Sequence, residues 1–315
     1  MRSACAVTLN VGGDVTPLFA PEYQAFFGSD ISLDVAARIA NNGPISLEAF
    51  DLVANEVQLS GRAEIAAQGW PERLEIKGQI KGDGSDLVLL PLAGPKTYVN
   101  GATIDITYDG AVSDDWTADI SVAGFDRPGL FIQDLTLDGG GILKSGEGSS
   151  VGEVTADLSY IAGGITLDDT GASQALGEAI SGVITAAHTE GSPTKITNFT
   201  MTGPGLEAQA DAVIEGADPG FRMQSNLVLT VEALDRFSAL AGRDLAGAAD
   251  LAIASTIIPL DGLFDAVLTG TTQDLAVGIA QLDAVFAGAG TISAATKRDE
   301  TGTRLDGLRI ETNAA

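Results

Sequence analysis

Apolar and polar residues alternate along most of this chain. Ile31-Ser32-Leu33-Asp34-Val35, Leu74-Glu75-Ile76-Lys77, Ile104-Asp105-Ile106-Thr107-Tyr108, Asp119-Ile120-Ser121-Val122, Leu135-Thr136-Leu137-Asp138, Val154-Thr155-Ala156-Asp157-Leu158-Ser159-Tyr160 and Leu308-Arg309-Ile310-Glu311 all follow a period of two. A strand sends successive side chains to opposite faces, so each segment predicts a strand with one greasy and one wet face. Glycine-bearing turns punctuate them at Gly43-Pro44, Lys81-Gly82-Asp83-Gly84, Asp109-Gly110, Asp138-Gly139-Gly140-Gly141, Gly203-Pro204-Gly205 and Asp261-Gly262. Turns roughly every 8–12 residues predict about 20–25 antiparallel strands and an all-β fold.

A weaker helical pattern interrupts the strands in four places, each closing on a glycine as helices commonly do. These are Pro21 to Gly28, Ser173 to Gly182, Glu232 to Gly242 and Gln281 to Gly288. Their spacing is irregular. The expected organisation is one elongated β-structure over residues 1–315 with a few short helices.

Charge narrows the partners. Lys and Arg number 17 against 43 Asp and Glu, a net of −26, a field that repels the phosphates of nucleic acid. With 45% hydrophobic residues the chain is nevertheless not the polar, charge-rich mixture that stays unfolded. The lone Cys5 excludes an intramolecular disulfide and paired metal thiolates. The first ten residues carry no apolar signal-peptide core, and no stretch reaches the roughly 18 apolar residues of a membrane-spanning helix. The greasiest region, Leu251 to Leu260, is broken by Ser255, Thr256 and Pro259.

Motifs for chemistry are sparse. Gly148-Ser149-Ser150-Val151-Gly152 fits a nucleophile elbow formally, with Asp157, Asp168 and the single histidine, His188, downstream. An elbow needs a buried strand before it and a helix after it, whereas Lys144 to Glu147 reads as a turn and Glu153 to Tyr160 as a strand. A plain hairpin turn is the expectation at Ser150, and an exposed turn histidine at His188. Calcium rolls repeat a Gly-Gly-x-Gly-x-Asp unit, but the triplet Gly139-Gly140-Gly141 occurs once. Asp114-Asp115 and Asp168-Asp169 are expected to be solvated turns, and Asn198-Phe199-Thr200 is a glycosylation acceptor by pattern only. No catalytic group, metal site or cofactor is expected.

The greasy face remains. Its expected lining includes Ile31, Leu33, Val35, Leu74, Ile76, Ile104, Ile106, Ile120, Val122, Leu135, Leu137, Leu227, Leu229, Leu308 and Ile310. Patterning allows either a closed core packed by these side chains or a groove left open for an acyl chain.

Several words along the chain resemble the alphaproteobacterial form of the TamB family, within the AsmA-like group of bridge-like lipid-transfer proteins. They are Leu9 to Phe19 running into Pro21 to Gly28, then Gly69-Trp70-Pro71-Glu72-Arg73, Leu89 to Pro95, Arg236 to Gly247 and Gln273 to Gly278. The resemblance implies a long sheet curled into a taco-shaped groove, polar outside and apolar inside, in the periplasm between two membranes. It further implies passage of phospholipid acyl chains and support of outer-membrane protein assembly with a TamA-like barrel partner. The family's inner-membrane anchor and partner-docking domain are not matched by these residues, so the chain is expected to be a segment of a longer product. About 20–25 strands at 4.8 Å spacing would stack to roughly 100 Å. An acyl chain of sixteen carbons crossing water faces a barrier of about 12 kcal/mol, which a continuous apolar trough removes without any catalytic group. The competing reading is a structural or adhesive β-helical module with a filled core.

Overall fold

The computed structural model describes residues 4–40, 43–67, 69–81, 87–92, 94–145, 152–216, 220–258 and 261–312. It is all-β: one antiparallel sheet of 20 strands, not closed into a barrel, with a few short helices. Residue contacts divide the chain into two compact units, Met1–Gly164 and Ile165–Ala315.

The first unit holds β1 (Ala4–Gly13), β2 (Ile31–Ala40), β3 (Ile45–Val53), β4 (Val57–Ile65), β5 (Pro71–Lys81), the short β6 (Val88–Leu89) and β7 (Tyr98–Val99), β8 (Gly101–Asp109), β9 (Asp115–Arg127), β10 (Leu130–Lys144) and β11 (Glu153–Gly163). Strands β1 to β5 pair in succession, β5 then pairs with β8, and β8 to β11 continue the meander. The excursion between β5 and β8 carries β6 and β7, which pair with each other. The second unit holds β12 (Thr166–Leu167), β13 (Ala179–Thr189), β14 (Thr194–Gly203), β15 (Leu206–Ile214), β16 (Met223–Val231), β17 (Ala246–Ile258), β18 (Leu263–Ala276), β19 (Ala289–Asp299) and β20 (Gly302–Thr312). From β13 to β20 every strand pairs with its neighbour in sequence.

Because the strands alternate in direction, the longer connections within each unit fall at the same strand ends. In the first unit that end carries 3-10 turns at Thr16–Leu18 and Pro21–Tyr23, helix α1 (Gln24–Phe27) and the β6–β7 excursion. In the second it carries α2 (Thr170–Leu176), a 3-10 turn at Leu234–Phe237 leading into α3 (Ser238–Ala241), and α4 (Ala280–Phe286). Among the described connections at the opposite ends, β8–β9, β13–β14 and β19–β20 are joined by short turns.

Three local expectations change. The segment expected to be helical from Ser173 to Gly182 is helical only to Leu176, and Ala179 to Gly182 opens β13. Asp169, exposed as a solvated turn residue would be, also caps a helix: its carboxylate accepts from the Ala172 N–H at 2.7 Å, satisfying a donor that the first turn of α2 leaves free. Gly139-Gly140-Gly141, expected as a turn, lies inside β10. The reason is close approach of neighbouring backbones. A Cβ at these positions would lie 2.1, 2.1 and 2.0 Å from the carbonyl oxygens of Asp157, Trp116 and Thr155 respectively.

Candidate functional site

Directly paired residues on adjacent strands share a face, so the register shows where each expected lining residue goes. In the first unit Leu33 pairs with Val11 and Leu52, and Val35 with Leu9 and Phe50. Leu74 pairs with Ala63 and Tyr108, and Ile76 with Gly61 and Ile106. Ile104 pairs with Ile120, Ile120 with Leu137, and Val122 with Leu135. Leu135 and Leu137 meet Ala162 and Tyr160 of β11. Ile31 opposes Gly13 at the helix-bearing end and is buried. These residues form one aliphatic face across β1 to β5 and β8 to β11.

In the second unit Leu227 lies between Ala210 and Ile253, and Leu229 between Ala208 and Leu251. Ile253 continues to Leu268, and Ile310 opposes Ile292. By alternation Leu308 shares the side of Ile310, and it is 55% exposed. A cavity of about 450 Å³ opens on this face, walled by Ile196, Phe199, Met223, Leu227, Ile257 and Phe264 among others. Of its polar wall residues, Asp211, Ser225 and Ser255, the two serines hydrogen-bond each other at 2.8 Å, which lowers the desolvation cost either hydroxyl would bring to an apolar surface.

The opposite face carries the charge. Asp34 sits beside Asp51, and Asp105, Asp119 and Asp138 occupy one row across β8, β9 and β10. Arg38–Glu48 (2.8 Å), Arg62–Glu75 (2.6 Å), Lys77–Asp105 (3.2 Å) and Lys297–Asp265 (3.3 Å) pair on this face. Exposed pairs of this kind contribute little to stability. Their weight is in partitioning: charge on one side, hydrocarbon on the other.

Coverage of the apolar face is uneven. At the helix-bearing end of the first unit, Phe26, Val88 and Val99 form a buried cluster against Val57, Ile80 and Val122 of that face, with Phe27, Leu90 and Phe125 around it. Phe19 stacks on Phe27 with ring centroids 3.8 Å apart. At the hairpin end aromatic residues lie over the strands. Tyr108 Oη donates to the Leu143 carbonyl at 3.1 Å, and Trp116 Nε1 donates to the Thr155 carbonyl at 2.9 Å, crossing β10 where its glycines leave room. The pairing of β10 with β11 skips at Gly141 and Ile142, and the Ile142 N–H turns to Thr155 Oγ1, leaving the Thr155 carbonyl for the indole. The Trp70 ring rests on Gly152, where a Cβ would come within 1.9 Å of it. Burial pushes the Tyr108 and Tyr160 phenols above their ordinary pKa, and at Tyr108 the carboxylates of Asp114, Asp109 and Glu72 push in the same direction.

Between these covered ends, and over much of the second unit, the described residues place no second layer on the face. Val7, Leu9, Ile39 and Ile45 are each more than 40% exposed. The chain exposes 18163 Å², whereas two separate globular proteins, each of half its 32.1 kDa, would together expose about 15,000 Å².

The candidates for chemistry fare differently. Ser149, Ser150 and Val151 lie outside the described residues. His188 is exposed near the end of β13 with Nδ1 3.1 Å from Thr194 Oγ1. Asn198 to Thr200 are within β14. Among the described residues no cluster of three or more His, Cys, Asp or Glu could hold a metal ion, and no helix is long and apolar enough to cross a membrane. Sequence reasoning missed the aromatic ties. The glycine triplet interrupting an alternating run was their signal, because a strand interior loses glycine unless a neighbour must come close.

Comparison with protein families, curated proteins and solved structures finds no match to this chain.

Proposed function

We propose that this chain is a segment of a lipid conduit, carrying phospholipid acyl chains along its apolar face, as the resemblance to the TamB family implies. The observation that supports this reading is the aliphatic face itself, broad, strand-built and largely uncovered, with an acidic face behind it. In a closed β-helical module the same leucines and isoleucines would pack against one another across a filled interior. Here Leu33, Ile76, Ile106, Leu137, Leu227 and Ile253 are all only partly buried. An aliphatic wall suits a sliding acyl chain because it offers contact without hydrogen bonds that would have to break at each step. The same reading places the protein in the periplasm, with a TamA-like barrel as partner of the larger product.

Native mass spectrometry of the purified chain tests it, with co-purifying phospholipid as the expected result. Ile106→Arg should abolish that lipid while circular dichroism stays unchanged, since a long cation at a partly buried site reaches solvent. A wild-type chain that never carries phospholipid, or an Ile106→Arg variant that unfolds, would overturn the reading in favour of a filled core.

A further inference from the structure

The cavity on the apolar face of the second unit is a trough with one polar end. Its floor is a row of small residues, Ala212, Ser225, Ser255 and Ala266, directly paired across β15 to β18. Large side chains stand two positions away along the strands on either side. Leu227 and Ile253 form the wall toward the helix-bearing end, and Met223, Ile257 and Phe264 the wall toward the hairpin turns. Residues two apart on a strand are separated by about 7 Å, so a row of small residues between two rows of large ones leaves room for one hydrocarbon chain. On β14 the floor row meets Ile196 and the helix-side row meets Phe199, so bulk replaces alanine there. On β19 the floor continues into Thr296 and the hairpin-side wall into Arg298, which sits directly opposite Phe264.

Arg298 is out of place in its charge as well as its face. The other cations of β13 to β20 are Lys195, Lys297, Arg304 and Arg309, and all four oppose residues of the polar face. Lys297 holds Asp265 there, and Arg304 holds Asp299, so both carboxylates near Arg298 in the sheet are engaged on the far side. Arg298 is exposed and, among the described residues, has no ion-pair or hydrogen-bond partner. Asp211, the one acid at the cavity, likewise belongs to the polar face, where it accepts from Asn226 Nδ2 at 3.0 Å.

Resting on the conduit reading, we infer that the trough holds a single acyl chain of a phosphate-bearing lipid, laid across the strands with its phosphate on Arg298. A floor four strands wide at about 4.8 Å per strand measures about 19 Å. That is about the extended length of a sixteen-carbon chain, whose bonds each advance it about 1.3 Å. A chain with a net charge of −26 repels anions in general, so a single unpaired cation where the hydrocarbon ends selects a ligand that is apolar along its length and anionic at one tip. The guanidinium suits phosphate because its fork of N–H donors can bind two oxygens at once. Thr303, opposite Arg298 on β20, brings a hydroxyl to the same place.

Native mass spectrometry of the full chain tests it, with equimolar palmitoyl lysophosphatidylglycerol and monopalmitoylglycerol, two lipids that share a chain and differ in the phosphate. The wild type should prefer the phosphate lipid. Arg298→Gln should weaken that lipid about tenfold and leave the neutral one within about twofold. Lys297→Gln, which removes the neighbouring cation from the opposite face, should leave the preference intact. Ser255→Phe raises the floor and should abolish the preference, with circular dichroism unchanged. Affinity should tighten as the chain lengthens to about sixteen carbons and level off beyond, where added methylenes leave the trough. A wild type without the preference, a preference that survives Arg298→Gln or Ser255→Phe, or one lost equally with Lys297→Gln overturns this inference while the conduit reading stands. A chain that binds neither lipid overturns both.

Discussion

The apolar faces of the two units are built by the same alternation, yet they are finished differently. In the first unit both ends of the face are covered, one by side chains from the connections and the other by aromatic residues that reach across neighbouring strands. Phe26, Val88 and Val99 lie over Val57, Ile80 and Val122, and Trp70, Tyr108 and Trp116 lie over β10 and the start of β11. In the second unit, α2 and α3 pack on one another at the strand ends, close enough that a Cβ on Gly171 would lie 2.8 Å from the Leu240 nitrogen. The strands between remain a shallow apolar surface of Ala, Leu and Ile with a cavity. The difference separates two uses of hydrocarbon. Where it is covered it holds the sheet together; where it is not it stays available to a ligand.

Substituting a charge on each surface should break this comparison most strongly. Val99 is 1% exposed, and Val99→Asp should cost about 4 kcal/mol or more and unfold the first unit, as seen by lost near-ultraviolet dichroism. Leu229→Asp, on the uncovered face of the second unit, should cost less than about 2 kcal/mol in urea titration and leave the transition slope unchanged. Equal losses for the two would show that the second face is a packed core after all.

A finer test concerns the aromatic cover. Trp116→Ala should destabilise by about 3–5 kcal/mol, whereas Trp116→Phe keeps most of the contact and forfeits only the bond to the Thr155 carbonyl, about 1 kcal/mol. Should Trp116→Phe cost as much as Trp116→Ala, the hydrogen bond rather than the ring would be what holds β9 to β11.

The smallest effect is expected on the polar face. Asp109 accepts from Arg73 at 2.7 Å, which holds its carboxyl below the ordinary range and raises the guanidinium further above neutrality. A lowered native pKa favours folding above the unfolded carboxyl's pKa, and that contribution is lost as pH falls through the native value. Wild type should therefore melt slightly above Asp109→Asn at neutral pH, with the gap closing in strong acid. A gap that persists in acid would mean that the side chain matters for shape rather than charge.

Much of this was legible in the chain. Period-two alternation places Leu33, Ile76, Ile106, Ile120, Leu137 and Leu229 on the apolar side because a one-residue slip would turn every such side chain to water. The short helices were legible from their closing glycines, though Ala179 to Gly182 joined β13 once β14 was there to pair with it. The aromatic ties were not, because Trp116 and Thr155 are far apart in sequence and meet only through the backbone approach that three glycines permit.

The sequence by itself determined that the protein is an antiparallel sheet with hydrocarbon on one face and a −26 charge to distribute, since alternation and turn chemistry are local properties. Tertiary structure alone decided how much of that hydrocarbon is covered. Whether a leucine on a strand meets another side chain or open space depends on where distant segments such as β6, β7 and Trp116 return, and nothing local to the strand encodes that return.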